Sequence, residues 1–151
     1  MIKLHDFSIG YGERTLLCEV ETTIEKGRLT ALIGRNGTGK STLLRAIAGL
    51  NRRYTGRILL DEPTSFLDMP NRYELCTLLA RLAHEENKCI LFSTHELDIA
   101  LSLADAIALI DPPQLSYMPT EEMRRSGCIE RLFRNNCVTF DATTGFIKVG
   151  Q

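Results

Sequence analysis

The sequence has no tryptophan, only five prolines and no long run of apolar residues among its 151 positions. Its most apolar stretch, Ile99 to Ile110, is interrupted by Ser102 and Asp105 and is too short to cross a bilayer. The N-terminal residues lack the apolar run of a signal peptide. Neither sign of charge is in excess, since the formal net charge is −1. We therefore expect no membrane span and no nucleic-acid partner, because a basic excess would mark the latter.

The cysteines lack the spacing of a metal site or of a disulfide framework. Their number is odd, and none of them stands in a CxxC pair. Cys76 and Cys89 lie within apolar patterns and are predicted to be core thiols. This usage fits a reducing cytoplasm. If the protein acts at a membrane, another subunit must provide the membrane span. The five positions are Cys18, Cys76, Cys89, Cys128 and Cys137.

Short apolar strands alternate with helical patterns, which predicts an α/β domain with a mostly parallel sheet flanked by helices. A small antiparallel β element is expected at the N-terminus, with its turn at Gly10 and Gly12. Gly49 is predicted to end the first helix. At this length we expect one domain, residues 1–151. The predicted strands are Ile2–Ile9, Thr15–Ile24, Leu29–Ile33, Arg57–Leu60, Cys89–Phe92, Ala106–Ile110, Val138–Phe140 and Phe146–Val149, and the predicted helices cover 40–48, 68–86, 96–103 and two segments within 120–133.

The strongest motif is a complete G-x-x-x-x-G-K-[ST] phosphate-binding loop, Gly34-Arg35-Asn36-Gly37-Thr38-Gly39-Lys40-Ser41, between a predicted strand and a predicted helix. Its glycines let backbone N–H groups surround phosphate oxygens, which a Cβ would obstruct. Lys40 supplies positive charge to the β- and γ-phosphates, Ser41 offers a hydroxyl to Mg²⁺, and the helix presents its positive end. The alternative is a chance glycine-rich turn, and a random match in this length has a probability of about one in a hundred.

Two further strand ends carry polar residues. Asp61 and Glu62 follow a buried strand, at the carboxyl end where ligands bind in open α/β sheets. Asp61 is predicted to hold Mg²⁺, and Glu62 is a candidate base for an attacking water. His95 follows another strand, where an imidazole is placed to hydrogen-bond the γ-phosphate. An acidic strand end or a lone histidine is more often structural, so each interpretation depends on the phosphate loop.

Taken together, these motifs resemble those of ABC transporter ATPases. The resemblance extends along the whole chain and is carried by Tyr11, Gly34–Thr42, the string LLDEPTSFLD at 59–68 and the string STHE at 93–96. It implies that Tyr11 stacks on adenine, that the loop through Thr42 binds ATP, that Glu62 is the catalytic base and that His95 senses the γ-phosphate. It also implies a Mg²⁺ cofactor, transmembrane permease subunits as partners and a homodimer. The C-terminal residues are similar to those of importers for iron-siderophores, haem or cobalamin.

A segment that this family carries is missing between the phosphate loop and the acidic pair. Lys40 and Asp61 are 21 positions apart, and no LSGGQ signature occurs in the chain. The interval also has no glutamine for a Q-loop. Residues 55–58 resemble the start of the family's next strand, joined directly to residues 59–61, which indicates internal shortening near 56–60. In the family the His95 strand separates the phosphate-loop strand from the acidic strand, so residues 50–56 must cover roughly 10 Å, which seven residues can do.

Three interpretations remain open at this point. The first is an ATP-binding subunit of an ABC transporter, internally shortened. The second is a truncated module that holds ATP and Mg²⁺ with little or no turnover, since in the family LSGGQ from a second protomer completes the site. In that case the homodimer is doubtful. The third is a small P-loop kinase or GTPase, against which stand the lack of a lid and of an N-K-x-D guanine motif.

Overall fold

The computed structural model describes residues 1–50, 57–133 and 138–149, apart from the side chains of residues 11 and 50. Within these ranges the centre of the molecule is a sheet of five strands in the order β4-β5-β3-β6-β7. Strands β4, β5, β3 and β6 run parallel, and β7 pairs antiparallel with β6. The strands are β1 (Ile2–Tyr11), β2 (Arg14–Ile24), β3 (Arg28–Gly34), β4 (Arg57–Leu60), β5 (Cys89–Ser93), β6 (Ala106–Asp111), β7 (Gln114–Pro119), β8 (Val138–Asp141) and β9 (Phe146–Val149), and the helices are α1 (Lys40–Leu50), α2 (Met69–Glu85), α3 (Leu97–Leu103), α4 (Thr120–Arg125) and α5 (Cys128–Leu132). The predicted α/β class and mostly parallel sheet are confirmed.

The N-terminal hairpin is longer than its sequence pattern predicts. Strands β1 and β2 pair antiparallel as far as Tyr11 and Arg14, so the turn contains Gly12 but not Gly10. Gly10 lies within β1, where an added Cβ would stand 2.8 Å from the Arg14 carbonyl oxygen. The glycine therefore serves a close strand-to-strand approach and not a turn, and the predicted turn position was wrong.

The central sheet separates two apolar layers, and strand β5 contributes to both. Cys89 and Leu91 pack in the layer that contains α1, whereas Ile90 and Phe92 pack in the layer that contains α2 and α3. This alternation follows from the two-residue period of a strand, and a strand covered on both faces reads as a continuous apolar run. Cys76 and Cys89 are fully buried, so the prediction of core thiols is confirmed.

Helix boundaries show one success and one error of the sequence rules. Helix α2 begins as predicted, because the Asp68 side chain accepts a hydrogen bond of 3.2 Å from Asn71 N and Pro70 stands in the first turn. Helix α1 continues through Gly49, which was predicted to end it. One glycine costs a helix about 1 kcal/mol, and the packing of buried Leu43 and Ile47 against the sheet outweighs that cost.

Strand β7 was not predicted, because its residues are partly buried without a clear alternation. The expected position of the His95 strand between the phosphate-loop strand and the acidic strand is confirmed, since β5 lies between β3 and β4. The internal shortening was predicted near 56–60, where residues 57–60 form β4, whereas residues 51–56 before it lie outside the described residues. Among the helices of the described ranges, none is long and apolar enough to cross a membrane.

Two separate buried threonines test how a buried hydroxyl group affects the stability of the domain. Thr30 of β3 is fully buried, and its hydroxyl has no hydrogen-bond partner within the described residues. Thr30→Val is therefore expected to leave the free energy of unfolding unchanged or to raise it by about 1 kcal/mol. Thr120→Val is the matched control, because the Thr120 hydroxyl donates a 2.5 Å hydrogen bond to the Ala104 carbonyl. It should lower the free energy of unfolding by about 1 kcal/mol. Urea unfolding measures the free energy of unfolding of both variants. An equal loss of stability in the two would contradict the conclusion that the Thr30 hydroxyl forms no hydrogen bond.

Candidate functional site

The phosphate loop lies between the end of β3 at Gly34 and the start of α1 at Lys40. Gly37 and Gly39 have φ of +77° and +100°, a region that L side chains rarely adopt. A Cβ on Gly39 would also stand 2.8 Å from a methyl carbon of Leu16 on β2. The backbone conformation therefore favours glycine at both positions, and at Gly39 a Cβ would in addition displace the end of the Leu16 side chain. The loop keeps its N–H groups free of obstructing side chains, as a phosphate cradle must.

Lys40 is the buried cation of the loop, with 6% of its surface exposed. Its Nζ donates hydrogen bonds to the carbonyl oxygens of Gly34 at 2.9 Å and Arg35 at 3.3 Å. Burial lowers the pKa of Lys40, while the nearby carboxylates of Glu62 and Asp61 act in the opposite direction. The ammonium group is thus held by backbone oxygens and lies in the field of two acids.

Asp61 follows β4 and is held by hydroxyl groups. The Ser93 hydroxyl donates a 2.5 Å hydrogen bond to Asp61 Oδ1. Burial by itself would raise the pKa of Asp61, but hydrogen bonds from Ser93 and Ser41 and the charges of Arg45 and Lys40 outweigh it and lower the pKa. The carboxylate is therefore anionic at neutral pH, which is the form that binds a metal ion.

Glu62 and His95 meet at the same edge of the sheet. The Glu62 Oε1 and His95 Nδ1 atoms are 3.6 Å apart, and the Ser65 hydroxyl donates to Glu62 Oε2 at 3.1 Å. Glu62 itself has φ of +46°, an uncommon conformation for a residue with a Cβ. Because the carboxyl ends of parallel strands lie at one edge, the sequence motifs at the ends of β4 and β5 come together there.

A cavity of about 390 Å³ lies over the loop and the start of α1. Arg14 and Leu16 of the hairpin border it, although sequence reasoning did not select them. The available signal was their position next to Tyr11, whose backbone pairs with Arg14. The Tyr11 side chain lies outside the described part of the structure, so its stacking on adenine stays a prediction. The residues bordering the cavity are Arg14, Leu16, Asn36, Gly37, Gly39, Lys40, Ser41, Thr42 and Glu62.

Some predicted site residues border a second cavity, of about 420 Å³, and not the first. Gly34, Arg35 and His95 line this second cavity together with apolar residues such as Leu97 and Phe133, and Asn36 borders both. Thr38 borders neither, because its hydroxyl donates to the Arg35 carbonyl at 2.8 Å and stabilises the loop. Residues of the loop therefore border both cavities, and Glu62 borders the one that contains Lys40.

The acids at this edge fit Mg²⁺ better than a metal held by protein ligands alone. In the described ranges, no three His, Cys, Asp or Glu side chains are grouped closely enough to hold a metal ion. Mg²⁺ is usually bound through one or two carboxylates together with waters and phosphate oxygens. Asp61, hydrogen-bonded to Ser41 at the start of α1, offers this kind of donor set.

A strand, a glycine-rich loop, a helix that starts with a buried lysine and an acidic pair on a nearby parallel strand define a P-loop nucleotide-binding domain. The family model for ABC transporters matches residues 17–105, which is more than half of the chain. The chain therefore belongs to the ABC transporter family. Domains of this family bind ATP, normally with Mg²⁺.

Relatives of known name agree with this family. The chain is 35% identical over 104 residues to a zinc import ATP-binding protein of Vibrio cholerae, an alignment that covers 68% of this chain and 40% of the relative. It is 45% identical over 60 residues to a probable siderophore transport ATP-binding protein of Bacillus subtilis, covering 40% of this chain and 22% of the relative. The chain thus matches less than half of the length of each of these relatives. Their names cover zinc and siderophore import, so they do not single out one substrate.

The fold of the chain is similar to that of solved ABC transporter proteins. A transporter of the metal-chelate ABC type, solved in an inward-facing conformation, has a TM-score of 0.75 at 19% identity, covering 89% of this chain and 90% of that chain. The protein cbiO1 from Clostridium perfringens, part of the ABC transporter complex cbiONQ, has a TM-score of 0.67 at 15% identity, covering 87% of this chain and 93% of that chain. At such low identity these likenesses establish the fold.

The buried lysine gives a direct test of the site. Lys40→Ala is expected to weaken ATP binding by about 10-fold or more, because hydrogen bonds to charged groups contribute about 1.5–3 kcal/mol. Isothermal calorimetry measures the affinity. Lys148→Ala is the matched control, since it removes the same charge from β9, where the side chain pairs with Asp141. Equal ATP affinity in the wild type and Lys40→Ala would show that the site is assigned wrongly.

Proposed function

We propose that this chain is an ATP-binding subunit of an ABC importer and that it binds ATP with Mg²⁺ in the 390 Å³ cavity. The observation that carries the proposal is the buried Lys40 in the first turn of α1, with Asp61 and Glu62 opposite it. A positive group, free backbone amides and a helix N-terminus at one place suit a triphosphate. Family membership supports the same ligand.

Each side chain has a distinct task in this proposal. Lys40 and the amides of the loop bind phosphate oxygens, and Ser41 and Asp61 hold the metal ion. Mg²⁺, when bound, neutralises phosphate charge. Glu62 accepts the proton of an attacking water at its carboxylate, and His95, 3.6 Å from Glu62, is the γ-phosphate sensor.

The partners and the transported substrate follow from the family and from named relatives. We propose that transmembrane permease subunits hold this subunit at the inner face of the plasma membrane, on the cytoplasmic side. Import of iron-siderophores, haem or cobalamin is the proposed transport function. The siderophore relative supports it, while the zinc relative points to a metal ion instead. We further propose that residues 1–151 are one domain shortened near 56–60.

The missing signature motif favours a second candidate function, a truncated module that binds ATP with little or no turnover. No LSGGQ occurs in the chain, and only 21 positions separate Lys40 from Asp61. In the family that motif reaches the γ-phosphate from a second protomer, so a homodimer of this chain would lack it in both sites. Preorganised contacts of this kind are a large part of phosphoryl-transfer catalysis.

Tyr11 is expected to contact the base without selecting it. Stacking needs only a π-face and contributes about 1–3 kcal/mol per base. Tyr11→Ala should therefore weaken ATP and GTP binding by a similar factor of about 10. Tyr11→Phe keeps the ring and should bind both nucleotides like the wild type. Calorimetry with the two nucleotides measures both affinities, and unchanged ATP affinity in Tyr11→Ala would leave the tyrosine a purely structural role at the end of β1.

The turnover of the chain separates the two candidate functions. The ATPase rate is expected to be about 100-fold or more below that of a family member with LSGGQ, since loss of one charge-stabilising donor costs about 10²–10³ in rate. Glu62→Gln, which should trap an ATP-bound dimer in an intact enzyme, should have little effect here. Steady-state phosphate release measures the ATPase rate of the wild type and of Glu62→Gln. Light scattering with and without ATP shows whether either protein forms a dimer. Robust turnover that Glu62→Gln abolishes, or an ATP-dependent dimer, would rule out the truncated module.

A further inference from the structure

Ser93 is a polar residue at the end of an otherwise apolar strand. Strand β5 reads Cys-Ile-Leu-Phe-Ser, and all five of its residues are buried, Ser93 without any exposed surface. A buried hydroxyl costs free energy unless it forms hydrogen bonds. Ser93 forms two such bonds, and both connect it to the acidic pair at the end of β4.

The direction of these two bonds follows from the groups involved. Ser93 Oγ lies 2.9 Å from the backbone nitrogen of Glu62 and 2.5 Å from Asp61 Oδ1. A backbone N–H can only donate, so Ser93 Oγ accepts from Glu62, and its own hydrogen remains for the carboxylate of Asp61. Hydrogen bonds to an ionised carboxylate are shorter and stronger than neutral ones. One side chain therefore connects both acids to β5.

The register of β4 and β5 explains why this side chain reaches Asp61. Leu59 of β4 pairs directly with Leu91 of β5, and both leucines belong to the apolar layer of α1. Ser93 stands two positions further along β5 and Asp61 directly follows the end of β4, two positions after Leu59, so both continue on the same face. That is the face covered by α1, the helix that begins at the phosphate loop.

The contact also holds an uncommon backbone conformation. Glu62 has φ of +46°, which costs a residue with a Cβ about 1 kcal/mol or more. Such a conformation persists only where surrounding contacts fix it. The Glu62 N–H is bound by Ser93 Oγ, and the Glu62 carbonyl accepts from Ser65 N at 3.2 Å. Ser93 thus fixes the point at which the chain leaves β4 and turns Glu62 toward the cavity.

We propose that Ser93 is a positioning residue of the nucleotide site, whose hydroxyl holds the Asp61 carboxylate in place for the metal ion of ATP–Mg²⁺ and fixes the backbone of Glu62. This role rests on the proposed ATP-binding function. Ser93 itself touches neither the nucleotide nor the reacting atoms. Its removal should therefore weaken the contribution of the metal ion and spare the contacts between Lys40 and the phosphates.

The test is the Mg²⁺ dependence of ATP affinity, measured by calorimetry with MgCl₂ and with EDTA. In the wild type, Mg²⁺ should strengthen ATP binding. Ser93→Ala should lose about 10-fold of this gain while its affinity in EDTA stays near the wild-type value. Ser93→Thr keeps the hydroxyl and should recover most of the gain. The matched control is Thr120→Val, which removes another buried donor of a 2.5 Å hydrogen bond, at the opposite end of the sheet beside Ala104. It should lower stability and leave the Mg²⁺ dependence unchanged.

A second readout needs no nucleotide. The Glu62 amide should exchange its hydrogen faster in Ser93→Ala than in the wild type, whereas Thr120→Val should leave this exchange unchanged. The Ser93 role is overturned if Ser93→Ala keeps the full Mg²⁺-dependent gain, if Ser93→Thr loses as much as Ser93→Ala, or if Thr120→Val loses the gain equally. Failure of the wild type to bind ATP would instead overturn the proposed function, and the metal-positioning role would fall with it.

Discussion

Strand β5 occupies the position between the strand that leads into the phosphate loop and the strand that ends at the acidic pair. Because all three strands run parallel and in register, their carboxyl ends reach the same edge of the sheet. A register slip of two residues would displace one strand end by about 7 Å, which is more than any hydrogen bond in the site can span. The apolar residues on both faces of β5 therefore determine where Asp61, Glu62 and His95 stand.

Much of the fold could be predicted, because its signals are local. Continuous apolar runs identify strands that are covered on both faces, and Asp68 with Pro70 identifies the start of α2. The errors arose where packing between elements decides the outcome. Gly10 lies in a strand, at a point where the facing strand approaches too closely for a Cβ. Gly49 stays helical because α1 packs on the sheet. Strand β7 depends on pairing with β6, which no pattern within its own residues indicates.

The residues of the candidate site also fall into those that a local motif predicts and those whose position depends on packing between elements. The residues that a contiguous motif defines, such as Lys40 and Asp61, are found at one edge of the sheet. Arg14 and Leu16 border the cavity because of the way in which the hairpin packs against the rest of the domain. One contact of that packing is the hydrogen bond of 3.0 Å from the Cys18 N–H to the Pro113 carbonyl, between β6 and β7. The role of Ser93 depends on strand order. Its one sequence signal was a polar residue at the end of a fully apolar strand.

In the proposed function, nucleotide binding and turnover draw on different groups, so a chain without the signature motif is expected to be able to keep the first without the second. Lys40 is hydrogen-bonded to carbonyl oxygens of the loop at Gly34 and Arg35, so the buried cation has acceptors within the loop itself. A phosphate that takes over these bonds exchanges neutral acceptors for charged ones, which favours affinity. Charge that develops in a transition state needs additional donors aimed at it. The family resemblance places such donors in an LSGGQ segment that the chain lacks, whereas the groups proposed to bind the triphosphate are encoded before residue 43 or at 61–95.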